Sequence, residues 1–120
     1  MTGVLILAHG SREAQTIETM EKIERMVKDG LPDVKIRSAY LQFNDINLEA
    51  GLNALIADGV TDIRVVPYFL FSGVHIREDI PAEIDEFLKG HPGITVKMGG
   101  AMEADPRLAD ILKDKILGML

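Results

Sequence analysis

The sequence predicts an α/β fold: a doubly wound, four-stranded parallel sheet in the order 2-1-3-4, with helices on both faces. Three observations predict it. Apolar strand-like runs alternate with helical patterns four times, without a linker or low-complexity tract between them. The first and third runs are nearly continuous in apolar residues, as central parallel strands covered on both faces should be. The second and fourth alternate apolar with charged residues, placing Lys35, Arg37 and Lys97 outward, which is how edge strands stay soluble and unpaired. Right-handed crossovers then order the strands.

The first strand is expected over Val4–Ala8, and the helix after it carries Ile17, Met20, Ile23 and Val27 at helical spacing. The second strand covers Val34–Tyr40, followed by a helix marked by Leu48, Leu52, Leu55 and Ile56. The third runs from Asp62 to about Phe69; Pro67 cannot donate a ladder hydrogen bond and so belongs near its end. Asp79 and Pro81 open the third helix, whose inner face is Ile80, Ile84, Phe87 and Leu88. The last strand is Ile94–Met98. The last helix, with Leu108, Ile111, Leu112 and Met119, starts at Asp105 as cap and Pro106 in the first turn. Each helix needs a sheet face to cover.

Bulk properties narrow the function. A chain of 120 residues can bury one core, so residues 1–120 form a single domain. Thirteen basic residues against 19 acidic give a net charge of −6, without the Lys/Arg cluster that phosphate neutralisation needs, which disfavours a nucleic-acid surface. The absence of cysteine excludes disulfides, thiolate metal sites and cysteine nucleophiles. The apolar run Val4–Ala8 is too short to span a bilayer and has no basic leader, so no membrane association is expected and a cytoplasmic location is the default.

Ligands of open α/β sheets bind beyond the carboxyl ends of the strands where the winding reverses, here between the first and third strands. His9 in "ILAHGSRE" sits at the exit of the first, and His75 in "FLFSGVHIREDIP" follows the exit of the third. Either histidine alone reads as a structural group bonded to a neighbouring carbonyl; two at one switch point favour function. Paired neutral imidazoles suit borderline divalent ions such as cobalt, nickel, iron or zinc, and two ligands leave positions open for a substrate. The third histidine, His91 in "KGHPGI", reads as a surface turn. Gly10 permits close approach, and Ser11 caps a helix whose N-terminus welcomes carboxylates or phosphates. Arg12 and Arg77 lie near the histidines and either receive anionic groups or are ordinary solvated surface. The stretch Tyr68 to Val74, with Phe71, Ser72, Gly73 and Val74 as candidate substrate contacts, is more apolar than a short loop needs. A flat aromatic ligand, a second subunit or the protein's own helices could cover it.

In "HGSR", "VVPYFLFSGVHIREDIP" and "GAMEADPRL", in that order and spacing, the chain resembles the small sirohydrochlorin chelatases, the CbiX/SirB-type group of class II chelatases, over essentially its whole length. The resemblance implies insertion of a divalent metal ion, cobalt foremost with nickel or iron as others, into sirohydrochlorin. It implies that the metal is a substrate rather than a permanently bound cofactor, that His9 and His75 bind it and assist removal of pyrrole protons, and that the protein forms a homodimer. One departure is Gln42 in "YLQFND", where many relatives carry Glu; an amide cannot titrate, although its carbonyl can still orient a ligand. A non-enzymatic metal or tetrapyrrole carrier would use the same cleft. A hydrolase is the weaker alternative, since "HG" loops build oxyanion holes but no Gly-x-Ser-x-Gly elbow is present.

Overall fold

The structure, a computed structural model, describes residues 1–120. Its elements in chain order are β1 (Thr2–Ala8), α1 (Ala14–Gly30), β2 (Lys35–Tyr40), α2 (Leu48–Ala57), β3 (Asp62–Pro67), a π-helical turn (His75–Asp79) running directly into α3 (Ile80–Lys89), β4 (Thr95–Met98) and α4 (Pro106–Leu117). The four strands form one sheet in the order β2-β1-β3-β4, all parallel, as the alternation of apolar runs predicts. No helix is long and apolar enough to cross a membrane.

Period-two alternation divides β1 between two cores. Leu5 and Leu7 point to one face, where they meet Leu48, Leu52 and Leu55 of α2 and Ile80, Ile84 and Phe87 of α3. Ile6 points to the other and meets Met20 of α1 with Ile36 and Tyr40 of β2. The first core is the larger and nearly dry; each fully buried leucine in it contributes roughly 1.5–3 kcal/mol. Gly51 brings α2 close to the sheet: a β-carbon there would lie 2.7 Å from Leu5 and 2.9 Å from Ala39.

Three expectations need correction. β3 is covered on one face only, since Ile63 and Val65 are buried while Arg64 is exposed and Val66 half-buried. The reason lies in α4, the helix that should cover the sheet: it buries none of its residues and packs against no other element to more than a slight extent. Its apolar residues stay bare, Ile111 at 51% exposure, Leu112 at 63% and Leu117 at 67%. Helical periodicity shows that a face must be buried but not against what. Third, helical structure begins at His75, not Asp79, whose side chain caps nothing. The Ile80 N–H donates to the His75 carbonyl five residues back, a wide turn. Pro81 explains it, because in a regular helix its ring presses on the carbonyl four residues earlier, that of Arg77.

Candidate functional site at the carboxyl ends of β1 and β3

Backbone hydrogen bonds lace the four strand exits together. The Tyr68 N–H donates to the Leu7 carbonyl (2.8 Å), Leu41 to Ala8 (2.9 Å) and Gln42 to His9 (3.1 Å), so the exits of β2 and β3 both tie to β1. On the other side, Met102 donates to Phe69 and Glu103 to Leu70, each at 2.8 Å, joining the exit of β4 to that of β3. Gly10 has φ +89, and a β-carbon on it would land on the Gln42 carbonyl oxygen. It is therefore required by the protein's own backbone, and it fixes how β1 leaves the sheet beside His9.

His9 and His75 line the same hollow, of about 380 Å3. Tyr68, Phe69, Leu70, Phe71, Gly73 and Ile76 form the rest of its wall, so the two imidazoles stand in an apolar surround. The His9 ring stacks on Phe69 with centroids 4.0 Å apart and planes 20° from parallel. The Nδ1 of His75 lies 2.8 Å from Oδ2 of Asp79. Nowhere in the chain do three or more His, Asp or Glu side chains gather around a possible metal position. The hollow holds a pair of histidines, and an ion bound by two imidazoles would keep its remaining coordination positions for water or an incoming ligand. A larger hollow of about 680 Å3 opens at the other end of the strands, among Met1, Val34, Lys35 and Asp58, but it holds no histidine and lies far from the winding reversal.

Of the other expected site residues, Phe71 and Gly73 line the histidine hollow, and Gly10 lines a shallower one beside it that shares His9 and Tyr68. Phe71 is 80% exposed, so the loop stays bare in the single chain. Ser11, Arg12, Gln42, Ser72, Val74 and Arg77 line neither. Ser11 does not cap α1: it accepts from the Glu13 N–H (3.1 Å), and α1 opens only at Ala14, because the chain needs the intervening residues to complete its turn at Gly10. Arg12 lays its guanidinium over the Phe43 ring, 4.5 Å from the centroid, an attraction that holds it beside the exit of β2. Gln42 and Arg77 are exposed. His91 is no loose turn residue; it stacks on Phe87 at 3.9 Å and bonds the Phe87 carbonyl through Nδ1 (2.8 Å).

Two participants escaped the sequence reading. Phe69 gives His9 its orientation, and nothing in a strand-exit sequence singles out which aromatic will do so. Asp79 partners His75, and here a signal existed: the spacing His-x-x-x-Asp puts both side chains on one face once the segment is helical.

The CbiX family model matches residues 3–118. A sirohydrochlorin ferrochelatase from Priestia megaterium is 32% identical over 117 residues, 97% of this chain but 44% of the relative, so the chain spans less than half its length. The crystal structure of a CbiX protein from Marinobacter aquaeolei VT8 superposes with a TM-score of 0.80 at 30% identity, covering 99% of this chain and 97% of that one. The sirohydrochlorin chelatase SirB from Bacillus subtilis subspecies spizizenii, in complex with cobalt, superposes with a TM-score of 0.90 at 23% identity; it covers 98% of this chain, while the match covers 50% of SirB, a likeness of fold. With the model matched from β1 through α4 and the strand order the same fold requires, the chain belongs to the CbiX family.

Proposed function

We propose that this unit inserts a divalent metal ion, cobalt foremost and nickel or iron as alternatives, into sirohydrochlorin, in the cytoplasm. The observation that carries this reading is the convergence of His9 and His75, from separate βα units, on one apolar hollow. Imidazole nitrogens hold borderline divalent ions without saturating them, so the ion can pass to a competing set of ring nitrogens by ligand exchange. Phe69 and Phe71 offer flat apolar surface against which a macrocycle can rest, and holding ring and ion together removes the entropy cost of their encounter. Pyrrole protons must leave as metal enters, and the histidines are the bases nearest the ion. Gln42, beside the hollow on the exit of β2, orients a ligand through its carbonyl, and Gly10, Ser11, Ser72 and Val74 shape the rim. Arg12 and Arg77 receive peripheral carboxylates of the substrate once their exposed side chains turn toward it.

The partner in this proposal is a second copy of the unit. The apolar stripe of α4 and the bare loop carrying Leu70, Phe71 and Val74 are unsatisfied in one copy, and the segment leading into α4 is tied to that loop through Met102 and Glu103. A facing copy would close the open side of the hollow.

Incubation of the protein with metal-free sirohydrochlorin and cobalt(II) should convert the tetrapyrrole spectrum faster than the uncatalysed reaction. His9→Ala and His75→Ala should each lower that rate by about 100-fold or more while leaving the fold intact. Binding without accelerated conversion would identify a carrier instead, and normal rates in both variants would end the chelatase reading.

A further inference from the structure

We propose that Asp79 is a positioning residue that fixes the tautomer and orientation of His75, so that Nε2 is the atom presented to the incoming metal ion. The inference rests on the reading of His75 as a metal ligand and goes beyond it, to a group outside the hollow. Nδ1 of His75 lies 2.8 Å from Oδ2 of Asp79. A carboxylate only accepts hydrogen bonds, so a hydrogen bond formed across this contact places its proton on Nδ1. The neutral ring then has one free lone pair, on Nε2. His75 forms part of the wall of the hollow and Asp79 does not.

Three further features favour positioning over the two ordinary uses of such an aspartate. Asp79 lies inside the helical run that begins at His75, where no free helix N–H is left for it to cap. The side chains of His75 and Asp79 are 60% and 58% exposed, so the pair adds little to stability. Third, the pair lies on the π-helical turn, anchored at its end by the buried Ile80 and followed by Pro81, which supports a fixed separation between the two side chains. An imidazole that gives its second N–H to a carboxylate is a better and better-aimed metal ligand than a free one. His9 has a different support, stacking on Phe69, so the two ligands of the proposed site are held by unlike means.

The test uses the full chain, labelled with 15N, at about pH 8, above the ordinary imidazole range. Two-bond 1H–15N correlation should show His75 as the Nδ1–H tautomer in the parent protein and loss of that preference in Asp79→Ala. Cobalt(II) titration, without tetrapyrrole, should show affinity about tenfold lower or more in Asp79→Ala, with the remaining amide spectrum unchanged. An Nε2–H tautomer in the parent would overturn the proposal, whether or not the variant folds. So would a variant that retains the Nδ1–H form or the parental cobalt affinity. His75→Ala separates the layers: if it keeps parental cobalt affinity, the metal-ligand reading itself falls and this inference falls with it; if it loses affinity while Asp79→Ala does not, only the positioning role is lost.

Discussion

Helices α3 and α4 begin with the same chemistry and end up as opposites. Each follows an aspartate with a proline close behind, Asp79 with Pro81 and Asp105 with Pro106, and each carries apolar residues at helical spacing. Asp105 caps α4, accepting the Arg107 N–H at 2.9 Å, whereas Asp79 falls inside the helical run that starts at His75, with its Oδ2 2.8 Å from the His75 Nδ1. α3 buries Ile80, Ile84 and Phe87 in the main core, and α4 buries nothing. A start signal thus says where a helix can begin, while the neighbours of the aspartate decide whether it serves the backbone or a side chain. Amphipathicity in turn says that a helix wants a partner, without saying that the partner is in the same fold.

The largest effect should separate the two helices by stability. Ile80→Ala empties a fully buried position and should cost about 2–5 kcal/mol in denaturant unfolding, whereas Ile111→Ala, measured dilute enough to keep copies apart, should cost no more than about 0.5 kcal/mol. Equal losses would mean that α4 packs on its own sheet in solution. Next in size is association: replacing both Ile111 and Ile116 by Asp should weaken self-association at least about tenfold in sedimentation while leaving unfolding of the separated chain unchanged. A doubly substituted chain that sediments like its parent would remove α4 from the contact.

The smallest effect is the acid response at the start of α4. The Asp105 carboxyl is held down at about 2, chiefly by the Arg107 side chain and then by the Arg107 backbone N–H. An acid depressed in the folded state stabilises above its unfolded value, about 3.9, and that contribution is lost as pH falls through the folded one. Amide exchange in the first turn of α4 should therefore quicken between about pH 4 and pH 2, and Asp105→Asn should flatten the change. Asp62, held at about 2 by Arg64 and Thr95 at the far end of the sheet, titrates in the same window, so the readout must be residue by residue.

Strand order was legible because it follows from a local property: Lys35, Arg37 and Lys97 alternate with apolar residues only where one face meets water. The end of β3 was less so. Tyr68 and Phe69 are as strand-like as Val65, and the chain leaves the sheet at Pro67 because the exits of β1 and β4 claim the next backbone groups. The histidine pair could be placed on one edge from topology alone, and both histidines line one hollow there. The supports could not be found that way. Phe69 under His9, and Phe43 under Arg12, depend on loop conformations, the latter on a left-handed backbone at Phe43 (φ 58) that no non-glycine sequence announces.

The two bonds from Met102 and Glu103 to Phe69 and Leu70 have a mechanical meaning. α4 departs only a few residues beyond them, so a load placed on that helix is delivered to the very ribs that carry the aromatic floor beneath His9. Docking and chemistry would then be joined by a tendon three residues long, Met102 to Ala104, rather than by a route through the core.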